Sequence, residues 1–142
     1  MASHHQRRLR FIHVIVVAVV VLLPLVLGAP NTQVVYKVYG AEDPNPVSEY
    51  QDYARHVRRD LIQNTATRGF DYYSRIEKQV KCYGHAACRR RIMMSSQDCI
   101  ACLQAAEVHW LQGQTFEQHF SGIIKLVDCK MRWAPDPVDD LY

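Results

Sequence analysis

Five cysteines are the residues of this chain with the widest range of chemistry open to them. Cys82 and Cys88 precede a basic and polar connector, Cys99 and Cys102 follow it one helical turn apart, and Cys129 lies near the end of the chain. Thiols at such spacings can form disulfides, bind zinc or act in redox reactions. Which of these occurs depends on the redox state of the compartment, and therefore on whether the chain is exported.

The first 28 residues have the composition of a secretory signal peptide. Three arginines and no acidic residue occur before residue 11, the run 11–27 is almost wholly apolar, and Gly28 begins a small-residue exit. This order is typical of a signal peptide, so we predict that 1–28 is removed after Gly28. The alternative is an uncleaved anchor, because about 18 apolar residues can span a bilayer. Pro24 and the small residues at the exit favour cleavage.

The charge of the chain beyond this segment is balanced. Of 17 Lys and Arg residues, Arg7, Arg8 and Arg10 lie in the predicted signal peptide, and these three account for the whole formal excess of +3 over 14 Asp and Glu. A neutral chain has no global basic field to attract nucleic acid or an anionic membrane. We therefore predict neither partner, and no stable membrane anchor after cleavage. The part from residue 29 onward is long enough for one small domain that gains stability from covalent crosslinks.

In an exported chain, cysteines are expected to form disulfides, and an odd number leaves one thiol unpaired. Zinc bound by Cys99 and Cys102, with Cys88 and Cys129 or a histidine, is the alternative. It is disfavoured because the chain has no second Cys-x-x-Cys pair. A thioredoxin-type redox pair is also disfavoured, because both cysteines lie inside a predicted helix. We predict no metal and no cofactor.

The elements that position the cysteines follow from periodicity. Runs of β-branched and aromatic residues predict strands over 32–38, 69–73, 76–86, 123–128 and 130–133, with a tight turn near Ser74 and Arg75. Ser48-x-x-Gln51 has the form of a capping box before a helix over 49–64, with Arg58 on or near its solvent side. Ser95-x-x-Asp98 begins a second helix that ends at Gly113. Short turns between consecutive strands favour an α+β fold, an antiparallel sheet with both helices packed on one face.

Three motifs carry a family resemblance. Tyr83-Gly84-x-Ala86-x-Cys88, Ser96-x-Asp98-Cys99-x-x-Cys102-Leu103 and Leu126-Val127-Asp128-Cys129-x-x-Arg132-Trp133 together resemble the ginkbilobin-type, stress-antifungal domain of plant cysteine-rich secreted proteins. We therefore predict a cysteine-rich domain over 29–133, followed by a flexible acidic tail over 134–142.

The resemblance implies a five-stranded antiparallel sheet with two helices and two disulfides, Cys88 with Cys99 and Cys102 with Cys129. Cys82 is then the remaining thiol, either a buried hydrophobe or the site of an intermolecular disulfide. The protein is accordingly expected to be a monomer or a Cys82-linked dimer.

The sequence departs from the family pattern in three ways. The segment between Cys88 and Cys99 has ten residues where the family motif has eight, so we expect Arg89, Arg90 and Arg91 on a loop that could be a contact site. Both cysteines of the family bridge between the first strand and the end of the second helix are missing. We expect apolar packing to replace this bridge, through Val35, Val38, Trp110 and Phe116.

The third departure concerns the mannose site of antifungal family members. Alignment on Cys129 places Ile123 where the family has a binding Arg and Ala134 where it has a binding Glu, and the family's Asn has no clear counterpart. A sugar site needs convergent polar groups, and an Ile cannot supply them. We therefore predict that mannose binding at that site is lost.

No catalytic motif emerges from the chain. Cys82 and His85 are three residues apart on a predicted strand and face opposite ways, and His56, His109 and His119 have no motif around them. We predict a non-enzymatic plant defence protein of the antifungal type, secreted to the extracellular space (apoplast), with a fungal cell-surface component as its partner. The alternative is an extracellular protein-interaction module that binds a plant cell-surface protein.

Overall fold

The computed structural model describes residues 29–45, 48–90, 94–112 and 119–138. The predicted signal peptide, 1–28, and the last four residues of the predicted tail lie outside the described residues. The elements in chain order are β1 (Val34–Tyr39), α1 (Glu49–Asn64), β2 (Asp71–Glu77), β3 (Lys81–Cys88), α2 (Ser96–Leu111), β4 (Gly122–Leu126) and β5 (Cys129–Ala134).

All five strands form one antiparallel sheet in the order β1-β4-β5-β3-β2. Successive side chains along the strands point alternately to the core-facing side and to the outer side of the sheet. Helices α1 and α2 cover only the core-facing side. The predicted α+β class, with five antiparallel strands, two helices and disulfides, is confirmed. Within the described part of the chain, neither helix combines the length and the apolar character needed to cross a membrane.

Helix α1 begins with half of the predicted capping box. The Ser48 hydroxyl accepts the N–H of Gln51, but the Gln51 side chain donates to Asp43 at 3.1 Å instead of returning to Ser48. The Ser48 N–H donates to the carbonyl of Asn45. Asp43 also accepts the Ser48 hydroxyl and is 4% exposed. Burial alone would raise the pKa of Asp43, but its hydrogen bonds outweigh burial and lower it.

Helix α2 has the complete capping box predicted from the sequence. Ser95 accepts the N–H of Asp98, and the Asp98 carboxylate accepts the N–H of Ser95. The predicted apolar stripe is buried throughout and consists of Cys99, Cys102, Leu103, Ala106 and Trp110. The helix ends at Leu111, and Gly113, the predicted terminator, lies outside the described residues.

The predicted turn at Ser74 and Arg75 is wrong. Both residues lie in the middle of β2, which pairs with β3 without interruption from Asp71 opposite Ala87 to Glu77 opposite Lys81. Ser74 is buried on the core-facing side, so the strand alternation continues through it. The chain reverses instead at residues 78–80, where the sequence has neither Gly nor Pro to mark a turn.

The predicted solvent position of Arg58 is also wrong. Arg58 is 1% exposed, and its guanidinium lies 4.7 Å from the ring centroid of Trp133. Its Nε donates to both carboxylate oxygens of Glu107, at 3.0 and 3.1 Å. A buried arginine is tolerated here because a carboxylate on α2 and an aromatic face on β5 compensate its charge.

Strand β1 is attached to the end of α2 by polar and aromatic contacts. The predicted packing of Val35 and Val38 is wrong, since these side chains are 54% and 50% exposed. Val35 lies at an irregularity in the pairing of β1 with β4, and Val38 points to the outer side of the sheet. The Lys37 ammonium donates to the carbonyl of His109 at 2.8 Å, and the Tyr39 ring lies 4.6 Å from that of Trp110. Phe116 lies outside the described residues.

Candidate functional site

Two disulfides fasten the first half of α2 to the centre of the sheet. Cys88 ends β3 and lies directly opposite Cys129, which begins β5. Cys99 and Cys102 are one turn apart on α2, and the structure joins Cys88 to Cys99 and Cys102 to Cys129. The Cα–Cα distances are 5.7 and 6.1 Å. The helix therefore crosses two neighbouring strands at a fixed position, which gives the rest of the sheet a rigid frame.

Cys82 is a free thiol in the core. It is 0% exposed, and its Sγ lies 3.9 Å from the hydroxyl of Tyr50. Burial raises the pKa of the Cys82 thiol to about 11. A second chain cannot reach this sulfur without opening the fold, so the folded domain disfavours the Cys82-linked dimer. His85, three residues further on, lies on the outer side, and the two residues do not form a nucleophile and base pair.

The side of the sheet that the helices leave open, which we call the helix-free face, has a row of residues across all five strands. The row is Val38, Ile123, Arg132, His85 and Tyr73, one from each strand in spatial order. At one end of the row His85 is 2% exposed, stacks on Tyr73 with 4.2 Å between ring centroids, and places Nε2 2.7 Å from a carboxylate oxygen of Asp71. The described contacts of His85 and Asp71 include no Ser, Cys or Thr that could act as a nucleophile. The pair instead holds Tyr73 and β2 in place on the helix-free face.

The other half of the helix-free face is basic. Lys125 on β4 lies directly opposite Lys130 on β5, and Arg132 is two residues beyond Lys130 on the same side. Lys125 also lies over the ring of Tyr36, at 6.0 Å from its centroid. The sequence motifs did not predict this cluster, because Lys125 and Lys130 lie on opposite sides of a turn and meet only through the pairing of β4 with β5. The alternation of apolar and basic residues in 122–134 is the pattern that could have revealed it.

A shallow cavity of about 310 Å³ lies at the end of this basic region, next to the turn between β4 and β5. Arg89, Lys125 and Lys130 line it together with Ala87 and Val127. Of the predicted contact loop, Arg89 and Arg90 are exposed, and Arg91 lies outside the described residues. Arg90 donates to the carbonyl of Gly69 at 2.7 Å. The structure thus brings Arg89 to the two lysines, whereas Arg90 is held at the start of β2.

No cluster of three or more His, Cys, Asp or Glu side chains suited to a metal ion occurs in the described ranges. The four cysteines of the zinc alternative are joined in disulfides, and a disulfide sulfur is not a thiolate ligand.

The match to a protein-family model decides the family. The family described as "Salt stress response/antifungal" matches residues 38–135, more than half of the chain. The chain belongs to this salt stress response/antifungal family. The resemblance given by the three sequence motifs is therefore confirmed. A comparison with curated proteins finds no significant match.

Solved structures agree on the fold of this salt stress response/antifungal domain. The tandem DUF26 ectodomain of the Arabidopsis thaliana cysteine-rich receptor-like protein PDLP5 is 19% identical with a TM-score of 0.61, and the match covers 73% of this chain and 50% of that chain. The corresponding ectodomain of PDLP8 is 21% identical with a TM-score of 0.57, and the match covers 75% and 46%. This chain spans about half the length of each. At these identities the likeness concerns the fold alone.

The domain has apolar residues at the two positions that the family resemblance aligned with mannose-binding residues. Ile123 and Ala134 both point to the helix-free face, on the neighbouring strands β4 and β5. Ile123 lies directly opposite Arg132, so a cation is present near the aligned Arg position but on a different strand. The face therefore has hydrogen-bond donors on β5, beside the aliphatic Ile123 of β4.

Proposed function

We propose that this member of the salt stress response/antifungal family is an exported, non-enzymatic defence protein that binds its target through the helix-free face. The observation that carries the proposal is the face itself. It lies on a sheet fixed by two disulfides and presents Tyr36 of β1 together with Lys125, Lys130 and Arg132 of β4 and β5. Binding proteins use such rigid, open surfaces with a few well-placed polar groups.

Export is supported by the signal-peptide composition of 1–28 and by the two disulfides, because crosslinks of this kind persist in oxidising compartments. The absence of an enzymatic role is supported by the positions of Cys82 and His85, the two residues that could act as nucleophile and base. Cys82 is buried with a raised pKa, and His85 is paired with Asp71 on the opposite side of the sheet. Neither group can act on a substrate where it lies.

Loss of mannose binding is part of the proposal. An aliphatic Ile123 and a methyl group at Ala134 offer no hydrogen bond to sugar hydroxyls. We expect no mannose signal on a glycan array with the secreted protein, and clear mannose binding would contradict this part of the proposal.

A fungal growth assay tests the defence role. The oxidised protein is added to germinating spores of several fungal species, beside the same protein after reduction and alkylation. We expect the oxidised form to slow growth and the reduced form to be inactive, because reduction removes the frame that fixes the face. Growth unaffected by the oxidised protein in every species would contradict the antifungal role.

Edge strand β1 favours a second candidate, an extracellular protein-interaction module. Val35, Tyr36 and Val38 are exposed there, and the charged Lys37 is turned to the helix side to bind His109. An exposed apolar edge can accept a strand from another protein. A pull-down from plant cell-surface extracts, with a Val38→Lys variant as control, tests it: capture of one defined protein that the variant loses would support this candidate over the antifungal one.

A further inference from the structure

Four cations gather on the helix-free face without an acidic partner among the described residues. Lys125, Lys130 and Arg89 line the cavity of about 310 Å³, and Arg132 lies beside Lys130. The only described acid that lines the cavity is Asp128, which is 1% exposed and accepts the N–H of Asn31 at 2.7 Å. The charge of the cluster is therefore positive at the surface, although the chain beyond the predicted signal peptide is neutral.

This arrangement works against folding. Lys125 and Lys130 are directly opposite each other across an antiparallel pair, where like charges are destabilising. Arg132 adds a second cost, because its Nε and Nη2 are out of contact with solvent and hydrogen-bond to no described residue. The repulsion between the two lysines falls when a negatively charged oxygen lies between their ammonium groups.

The surroundings of the cluster indicate what the negative group is attached to. Lys130 lines the larger cavity and also a small one of about 20 Å³ that Tyr36, Ile123 and Arg132 enclose. The two cavities share Lys130 and lie along β4 and β5, and the exposed ring of Tyr36 lines the smaller one. A surface of this kind fits an extended ligand with several spaced anionic groups and flat faces that stack on an aromatic ring.

We propose that the cluster of Arg89, Lys125, Lys130 and Arg132 is a binding site for an acidic oligosaccharide, one whose sugar rings bear carboxylates. The carboxylates bind the lysines and arginines, and a ring of the sugar stacks on Tyr36. Nucleic acid fits less well, because Tyr36 is the one aromatic ring among the described lining residues of the two cavities and a single strand stacks its bases on several such rings.

The inference rests on the proposed function in one respect, the use of the helix-free face for binding. It does not require antifungal activity, so binding without growth inhibition would contradict the defence role alone.

Titration of the isotopically labelled, oxidised protein with an oligogalacturonide of uniform length tests the site. The same oligomer with its carboxyl groups reduced to alcohols is the neutral control, and anionic vesicles containing phosphatidic acid and a single-stranded DNA are the competing ligands. We expect amide chemical-shift changes centred on Ala87, Lys125, Lys130 and Arg132 with the acidic oligomer alone, and weaker binding as salt is added.

Two charge-matched double variants complete the test. Lys125→Ala/Lys130→Ala is expected to weaken binding by about tenfold or more, because two charge-assisted contacts are lost. Lys78→Ala/Lys81→Ala removes the same charge from exposed lysines at the turn between β2 and β3 and is expected to change binding by less than about twofold. Thermal unfolding of each variant verifies that it folds.

Four results would overturn the proposal. These are equal binding of the neutral oligomer, an equal loss in both double variants, binding of only the vesicles or only the DNA, and no binding of the acidic oligomer at low salt.

Discussion

Replacement of Arg58 by methionine removes a cation that is only 1% exposed. Arg58 on α1 connects three elements, because its Nε donates to Glu107 on α2 at 3.0 and 3.1 Å and its guanidinium lies 4.7 Å from the Trp133 ring centroid on β5. Methionine keeps most of the side-chain length and the apolar contact. The loss therefore comes from the ion pair and the cation–π contact.

The magnitude follows from the burial of the two partners. Removing one partner of a buried ion pair costs about 3–5 kcal/mol when the other charge stays buried. The Glu107 side chain is 22% exposed, so its carboxylate regains some water when Arg58 is gone. We therefore expect Arg58→Met to lose about 3 kcal/mol of unfolding free energy, the lower end of that range. The exposed neighbour Arg59 is the matched control, and Arg59→Met is expected to change stability by less than about 0.5 kcal/mol.

Guanidine unfolding followed by tryptophan fluorescence measures these changes, because Trp110 and Trp133 are both buried. The double variant Arg58→Met/Glu107→Leu removes both charges and is expected to recover to within about 1 kcal/mol of the unmodified protein. A loss of unfolding free energy below about 1 kcal/mol in Arg58→Met would refute the claim that Arg58 is a buried charge stabilised by Glu107 and Trp133, since replacing an exposed arginine gives a loss of that size. A double variant less stable than Arg58→Met would also refute it.

Further perturbations test the crosslinks, the free thiol and the loop before α1. Replacing Cys102 and Cys129 by serine opens a crosslink of sequence separation 27 and is expected to cost about 3–4 kcal/mol in guanidine unfolding, with no loss contradicting its structural role. A thiol reagent at neutral pH is expected to leave Cys82 unmodified in the native protein, because burial raises the pKa of the thiol to about 11. After denaturation the same reagent is expected to label one thiol per chain. Rapid labelling of the native protein would contradict this. Since the pKa of Asp43 is lowered in the folded state, its contribution to stability is present above the ordinary value of 3.8 and is lost as the pH falls below it. Asp43→Asn is therefore expected to reduce the loss of unfolding free energy on acidification. An unchanged loss would contradict the stabilising role of the Asp43 hydrogen bonds. Lys37→Met is expected to cost about 1 kcal/mol through the lost bond to a helix carbonyl, and no change in thermal unfolding would contradict this replacement of the missing bridge.

Much of the fold could be predicted from local patterns. The capping box at Ser95 and the buried stripe from Cys99 to Trp110 depend on residues within four positions of one another, and helix α2 begins where the sequence predicts. The class and strand count also follow from local periodicity. The hairpin between β2 and β3 could not be predicted in detail, because its turn has neither Gly nor Pro and Ser74 resembles a turn residue.

The errors in side-chain position have a different cause, contacts between residues far apart in sequence. Arg58 lies among basic residues on a helix, and only the approach of Glu107 and Trp133 makes its burial tolerable. Sequence alternation gave no reason to group Lys125 with Arg89, since their proximity depends on β5 lying between β4 and β3. Strand β5 lies between β3 and β4, which follow one another in the sequence, and this order is set by tertiary packing. No local sequence pattern encodes it.

Peptide mapping of the protein recovered from the extracellular fluid, without reduction, tests the central claim that this is an exported domain fixed by two crosslinks. We expect a first residue close to Ala29, linked peptides containing Cys88 with Cys99 and Cys102 with Cys129, and Cys82 recovered as an unmodified thiol. Protein found only inside the cell, with the leader attached and all five thiols reduced, would contradict the claim.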